Sequence, residues 1–218
     1  MTAPTAKPAV LTLRGAELLE ALGALVSETK YEILSALPDQ MSFDVTALRS
    51  NWDGDIASLE RGVDTRWIYP AKAARDPEIL EYLTQFAARG AKVRVLASVP
   101  NRILVSDRVR AVVPDTGEGP GPKALFITGR PLVRAIYTQF VEMWRASMPV
   151  GFSTGGLDVD LVRDTLSALQ TGLTDDAAAR QFGWSVRTYR RRIAAVLSLL
   201  GTTSRFEAGA LARTQGWI

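Results

Sequence analysis

Leu18, Leu22, Leu25 and Val26 recur at helical spacing, which predicts an amphipathic helix over about 15–29. Tyr31–Leu37 (YEILSAL) is a short apolar run stopped by Pro38 and reads as a strand. A turn or two of helix near Asp55–Arg61 leads into a second strand, Thr65–Tyr69, ended by Pro70. Pro77 opens a helix with Ile79, Leu80, Leu83 and Phe86 on one side, and Gly90 closes it. Lys92–Leu96 alternates as a strand does. Arg102–Ser106 and Val109–Val113 flank Asp107-Arg108, a hairpin pattern. After the turn-rich stretch Asp115–Pro122, Ala124–Thr128 reads as a further strand. Pro131 then starts a long helix with Leu132, Ile136, Phe140, Met143 and Trp144 on its apolar face.

From residue 158 onward the period is helical throughout. Four helices are expected at about 158–170, 174–182, 185–200 and 203–215. Asp158 and Ser185 are placed to cap helix N-termini, and Gly172 and Gly201 to follow helix ends. In the third of these helices Tyr189, Ile193, Val196, Leu197 and Leu200 form the inward stripe. Arg187, Arg190, Arg191 and Ala194 form a different, outward one. The pattern divides the chain into a tail (1–9), an α/β domain (10–148), a Gly-rich linker (149–157) and an all-α domain (158–218).

Composition narrows the chemistry. The 218 residues contain no cysteine, which excludes disulfides and thiolate metal sites. They contain no histidine, which removes every imidazole-based acid, base, nucleophile or zinc ligand. No metal or cofactor is expected. The apolar runs are too short to cross a bilayer, and the N-terminus lacks the apolar core of a signal peptide, so a cytoplasmic location is expected. Net charge is only +3. Residues 158–218 hold eight Arg against six acids, and the remainder holds eighteen Lys and Arg against seventeen acids. What matters is therefore the clustering of arginines.

Four arginines fall within Arg187–Arg192, with no acid among them. Side by side they repel unless an anion lies opposite. A guanidinium fork can grip guanine O6 and N7, or a phosphate. On the second helix of a helix–turn–helix, double-stranded DNA is the expected partner. Base contacts are expected from Arg187, Arg190, Arg191 and Ala194, whose small side chain gives clearance. Phosphate contacts are expected from Ser185, Thr188, Arg192, Ser204 and Arg205.

The segment resembles the LuxR/FixJ class of helix-turn-helix regulators. Gly172-Leu173-Thr174, Ala178-Ala179, Phe182-Gly183-Trp184-Ser185, Arg187-Thr188-Tyr189-Arg190, Ile193, Leu200-Gly201 and Ser204-Arg205 carry that resemblance. It implies that Arg190 and Arg191 sit where family members touch bases, and that the last helix is a common dimerisation element. Ala194 and Arg192 depart from the family pattern, as does Ala177 or Ala178 where an acid is usual. Sigma-factor region 4 shares much of the pattern, but an α/β partner domain argues against it.

No strand upstream ends in the acids a receiver domain needs. Thr65–Pro70, Ala88–Leu96, Pro100–Asp107 and Leu125–Gly129 with the following helix resemble instead the phospholipase D-like domain of TrmB-type regulators. The His-x-Lys-x4-Asp motif of that family reads Pro100-x-Arg102-x4-Asp107 here. The acid is kept, the lysine has become arginine and the nucleophile is lost, so covalent phosphoryl transfer on imidazole is impossible. The resemblance leaves a candidate small-molecule cleft from Arg66 or Arg94, Trp67, Tyr69, Arg102 and Asp107. Its competitor is a structural Arg102–Asp107 ion pair with Trp67 in the core. The expected protein is a homodimeric, non-enzymatic transcriptional regulator. A non-enzymatic protein-interaction regulator or a sigma-region-4-like factor is the alternative, and a phosphodiesterase the least favoured.

Overall fold

A computed structural model describes residues 9–40, 45–115, 122–150, 159–214 and 217–218. The expected tail up to residue 8, most of the turn-rich loop, the linker from 151 and the Asp158 cap lie outside the described residues. The chain begins with β1 (Val10–Arg14), α1 (Gly15–Glu28), β2 (Glu32–Ala36), α2 (Val45–Ser50), α3 (Trp52–Glu60) and β3 (Asp64–Pro70). It continues with α4 (Pro77–Ala88), β4 (Lys92–Leu96), β5 (Ile103–Ser106), β6 (Arg110–Pro114), β7 (Lys123–Ile127), α5 (Arg130–Ala146) and β8 (Met148–Pro149). The C-terminal helices are α6 (Val159–Gln170), α7 (Asp175–Gln181), α8 (Val186–Leu199) and α9 (Arg205–Thr214).

One mixed sheet runs in the order β1-β7-β6-β5-β2-β3-β4-β8. β2, β3 and β4 are parallel, and the other pairs are antiparallel. Strand residues alternate between two faces, and both are covered. Leu34, Ile68, Val105 and Ile127 meet Val133, Phe140 and Met143 of α5. On the other face Ile33, Leu104 and Val112 meet Leu22, Leu25 and Val26 of α1. Farther along that face Trp67, Tyr69, Val93 and Val95 meet Ile79, Tyr82, Leu83 and Phe86 of α4.

Several features differ from the sequence reading, among them α2, which the hydrophobic pattern did not predict. β1 was not expected: it is an edge strand in which only Leu13 is buried, so its apolar pattern is weak and pairing with β7 decides it. Leu132 points away from the α5 core and is 49% exposed. Val133, wholly buried, takes that place because Val133 and Phe140, seven residues apart, define the helix face, and Leu132 lies about 100° off it. Pro149, read as linker, pairs with Arg94 in β8, and the Val150 amide donates to Val93 O at 3.1 Å.

The β5–β6 hairpin turns on Asp107 and Arg108, with φ of 51° and 56°, the left-handed pair that two-residue hairpins require. Asp107 also accepts the backbone N–H groups of Lys30, Tyr31 and Glu32 at 2.9, 2.8 and 3.0 Å. Burial alone would raise this carboxyl, but the three donors outweigh it and hold the group below its ordinary value.

In the C-terminal helices Ala178, Ala179, Tyr189 and Ile193 pack with Phe182 and Trp184. Gly172, Gly183 and Gly201 take φ of 66°, 68° and 65° at the turns between helices. Trp217 joins these helices to the α/β part: its indole N–H donates to Ser147 O at 3.0 Å.

Asp107→Ala should destabilise the fold by about 3 kcal/mol, because three N–H groups lose a charged acceptor. Urea unfolding with an unchanged m value would show this. A loss within error would mean that the turn alone sets the hairpin.

Candidate functional site

Among the described residues, two places bear on the expected sites. The first is the exposed start of α8. Ser185 caps it, its Oγ accepting the Thr188 N–H at 3.1 Å. Thr174 caps α7 in the same way through the Ala177 N–H at 3.3 Å. With both ends fixed, Tyr189, Ile193 and Val196 turn inward, while Arg187, Arg190, Arg191 and Ala194 are exposed along one face. Ser185, Ser204 and Arg205 are also exposed, and Thr188 is half-buried.

The arginines do not share one environment. Arg190 Nε donates to Asp175 Oδ2 at 2.7 Å, and Arg205 Nη1 donates to Asp175 Oδ1 at 2.6 Å. Hydrogen bonds from Arg205 and then Arg190 hold the Asp175 carboxyl down at about 2. Sequence reasoning missed Asp175. The available signal was an acid at the first position of a helix whose cap is Thr174. Arg192 lies with its guanidinium over the Trp184 ring, 4.0 Å from the centroid, and its Nη1 is buried without a hydrogen-bond partner. It braces the turn between α7 and α8. Among the described residues, Arg187 and Arg191 have no ion pair.

The second place is in the α/β part, where the structure splits the cleft expected from sequence. Arg66 lies on the face of β3 opposite Trp67 and Tyr69, as strand alternation requires, and donates to Asp64 at 3.0 Å. Arg94 is on the α5 side, donating to Trp144 O at 2.7 Å. Asp107 is at the far end of β5 from Arg102, so the two make no ion pair. Trp67 and Tyr69 stack at 5.9 Å within the core.

Arg102 points instead toward β2 and α3. It donates to Ser35 Oγ at 2.8 Å, and burial pulls it below the ordinary guanidinium value. Beside it a cavity of about 460 Å³ opens between α1, α3 and the sheet, with Arg102, Trp67 and Asp55 in its lining. Asp55 is 7% exposed and its Oδ2 has no hydrogen-bond partner. Burial pushes its carboxyl up to about 7, against the pull of Arg102. Sequence reading missed Asp55 because nothing in the helix pattern of α3 marks it as buried. No metal-binding cluster of acids is present among the described residues, and no described helix is long and apolar enough to cross a membrane.

No family model matches the chain. The Streptomyces hygroscopicus protein named Bialaphos biosynthetic pathway regulatory protein is 31% identical over 155 residues. That match takes in 70% of this chain and 60% of the relative, so the chain spans less than two thirds of the relative's length. Among solved structures, Nuc of Salmonella typhimurium, a phospholipase D family member, superposes with a TM-score of 0.51 at 13% identity. It covers 66% of this chain and 98% of Nuc. NucT from Helicobacter pylori gives 0.52 at 11% identity over 64% and 98%. The mixed α/β sheet thus has a phospholipase D-like fold.

Asp55 has a consequence for stability. A carboxyl raised in the folded state favours folding below its unfolded value, near 4, and that contribution is lost as pH rises through about 7. Asp64, Asp107 and Asp175 are shifted downward, so their effects lie below that window. Unfolding free energy should therefore fall between about pH 4 and about pH 7, by up to roughly 1.4 kcal/mol per pH unit from this group. Asp55→Asn should flatten that slope in urea titrations run across the range. An unchanged slope would place the titration elsewhere.

Proposed function

We propose that this chain is a DNA-binding transcriptional regulator whose α8 reads the major groove. The observation that carries the reading is the exposed Arg187, Arg190, Arg191 stripe on a helix capped by Ser185 and backed by α7. The inward and outward faces of α8 are those a recognition helix needs. The order of residues from Gly172 to Arg205 resembles the LuxR/FixJ class, and a relative carries a regulatory name. In this reading residues 158–218 are the reader. The phospholipase D-like part, 10–148, serves dimerisation or sensing, without the phospholipase D reaction. Its motif has Pro100 where the nucleophile belongs, and the 218 residues hold no imidazole.

Within the reader, Arg187, Arg191 and Ala194 face bases, and Arg190 joins them after exchanging Asp175 for DNA. Ser185, Thr188, Ser204 and Arg205 lie along the phosphates. Arg192 keeps the α7–α8 turn rigid from its place over Trp184. The protein acts in the cytoplasm as a homodimer on a roughly palindromic operator. Phe206 supports a dimer contact on α9, being 87% exposed in the first turn of that helix.

Arg191→Ala should weaken operator binding by roughly 1–3 kcal/mol while random DNA is bound nearly as before. Gel shifts at fixed salt on both DNAs measure this. Equal losses on the two would make Arg191 a phosphate clamp, and no loss on either would remove α8 from the interface and favour an acidic protein partner.

Phe206→Glu should shift the protein from dimer to monomer in sedimentation equilibrium and weaken operator binding with it. A dimer of undiminished strength would move the contact away from α9.

A further inference from the structure

The cavity beside Arg102 is a built site, and its construction is independent of the DNA reading. Its walls are apolar: Leu22 and Val26 of α1, Ile33 of β2, Leu104 of β5 and the Trp67 ring. Two exposed glycines lie at its mouth. Gly23 of α1 and Gly54 of α3 both line it, and a Cβ on either would meet nothing within 4 Å.

The polar part of the lining is unfinished. Asp55 and Trp67 are 7% and 8% exposed, yet Asp55 Oδ2 and Trp67 Nε1 have no hydrogen-bond partner. Buried polar atoms are nearly always paired, so two on one cavity point to an absent partner. Two guanidiniums, Arg61 and Arg102, also line the space. Arg61 donates to Ala57 O, Val26 O and Ser58 Oγ, and Arg102 to Ser35 Oγ and Ala36 O. Among the described residues, no carboxylate lies within ion-pair distance of either. Two cations therefore face one carboxyl, and the surplus is positive.

We propose that this cavity binds a small organic monoanion with an apolar, ring-sized body. The body lies between α1 and α3. The anionic group is drawn by Arg61 and Arg102, and accepts hydrogen bonds from Trp67 Nε1 and from the protonated Asp55 carboxyl. A cavity of about 460 Å³ is in the size range of small-molecule sites. An amine is disfavoured by the two guanidiniums, and a dianion by the single carboxyl that must stay protonated beside it. Binding is thus linked to Asp55. The other ionisable groups coupled to it, Tyr69 and Tyr82, are both held above the ordinary phenol value and stay neutral in this range.

The test uses anilinonaphthalene sulfonate as probe, because its sulfonate is ionised at every working pH. Phenylnaphthylamine, the same body without the anion, is the control. Fluorescence titration of the full chain should give saturable binding, at least about tenfold tighter for the sulfonate. Above about pH 7 its affinity should weaken by about tenfold per pH unit. Asp55→Asn should bind the sulfonate with no such dependence. Gly23→Leu should abolish binding while leaving the gel shift on DNA as in the unaltered protein and the fold at least as stable to heating. Equal affinity for the neutral amine would overturn the proposal, as would undiminished binding in Gly23→Leu. Displacement of the probe by inorganic phosphate alone would also overturn it, marking a site for simple anions. The DNA reading is scored separately by the gel shift, so either can fail without the other.

Discussion

The Asp107 carboxylate takes three successive backbone N–H groups at the entry to β2, from Lys30, Tyr31 and Glu32. That single anchor ties the β5–β6 turn to the start of the central parallel strands. It sets the register in which Ile33 faces Ser106 and Ala36 faces Ile103. The register carries Arg102 to the other end of β5, where it reaches Ser35. A shift by one residue would send Arg102 to the α5 face and remove the cavity's cation.

Charge is managed differently at the two polar places. On α8 Arg187, Arg190 and Arg191 are solvated, so their mutual repulsion is small and is further reduced by one acid, Asp175, shared between Arg190 and Arg205. The ion pairs are mostly exposed, so they orient side chains more than they stabilise the fold. Beside β5 the charges are buried. There the cost falls on Asp55, whose carboxyl moves up to about 7 because water is excluded from it.

The C-terminal helices were legible because their information is local. Ser185 as cap, Gly172 and Gly201 after helix ends, and the stripes through Tyr189 and Arg187 all follow from 3.6-residue periodicity. The hairpin at Asp107-Arg108 was legible for the same reason. Arg66 could also have been excluded from the cleft locally, since it alternates with Trp67 along one strand. β1 and Asp55 were not legible. β1 exists through pairing with β7, more than one hundred residues away. Asp55 is buried only because α3 folds against α1 and the sheet.

By itself the sequence determined the C-terminal helices and most of the strands, the inward and outward faces of α8, and the absence of imidazole chemistry. These depend on residue identity and short-range period, which need no partner to be read. Tertiary structure alone decided that Arg102 faces Asp55 rather than Asp107, that Asp175 holds Arg190, and that Arg192 lies over Trp184. Each joins side chains brought together by strand register or helix packing, and such distances are set only when the chain closes on itself.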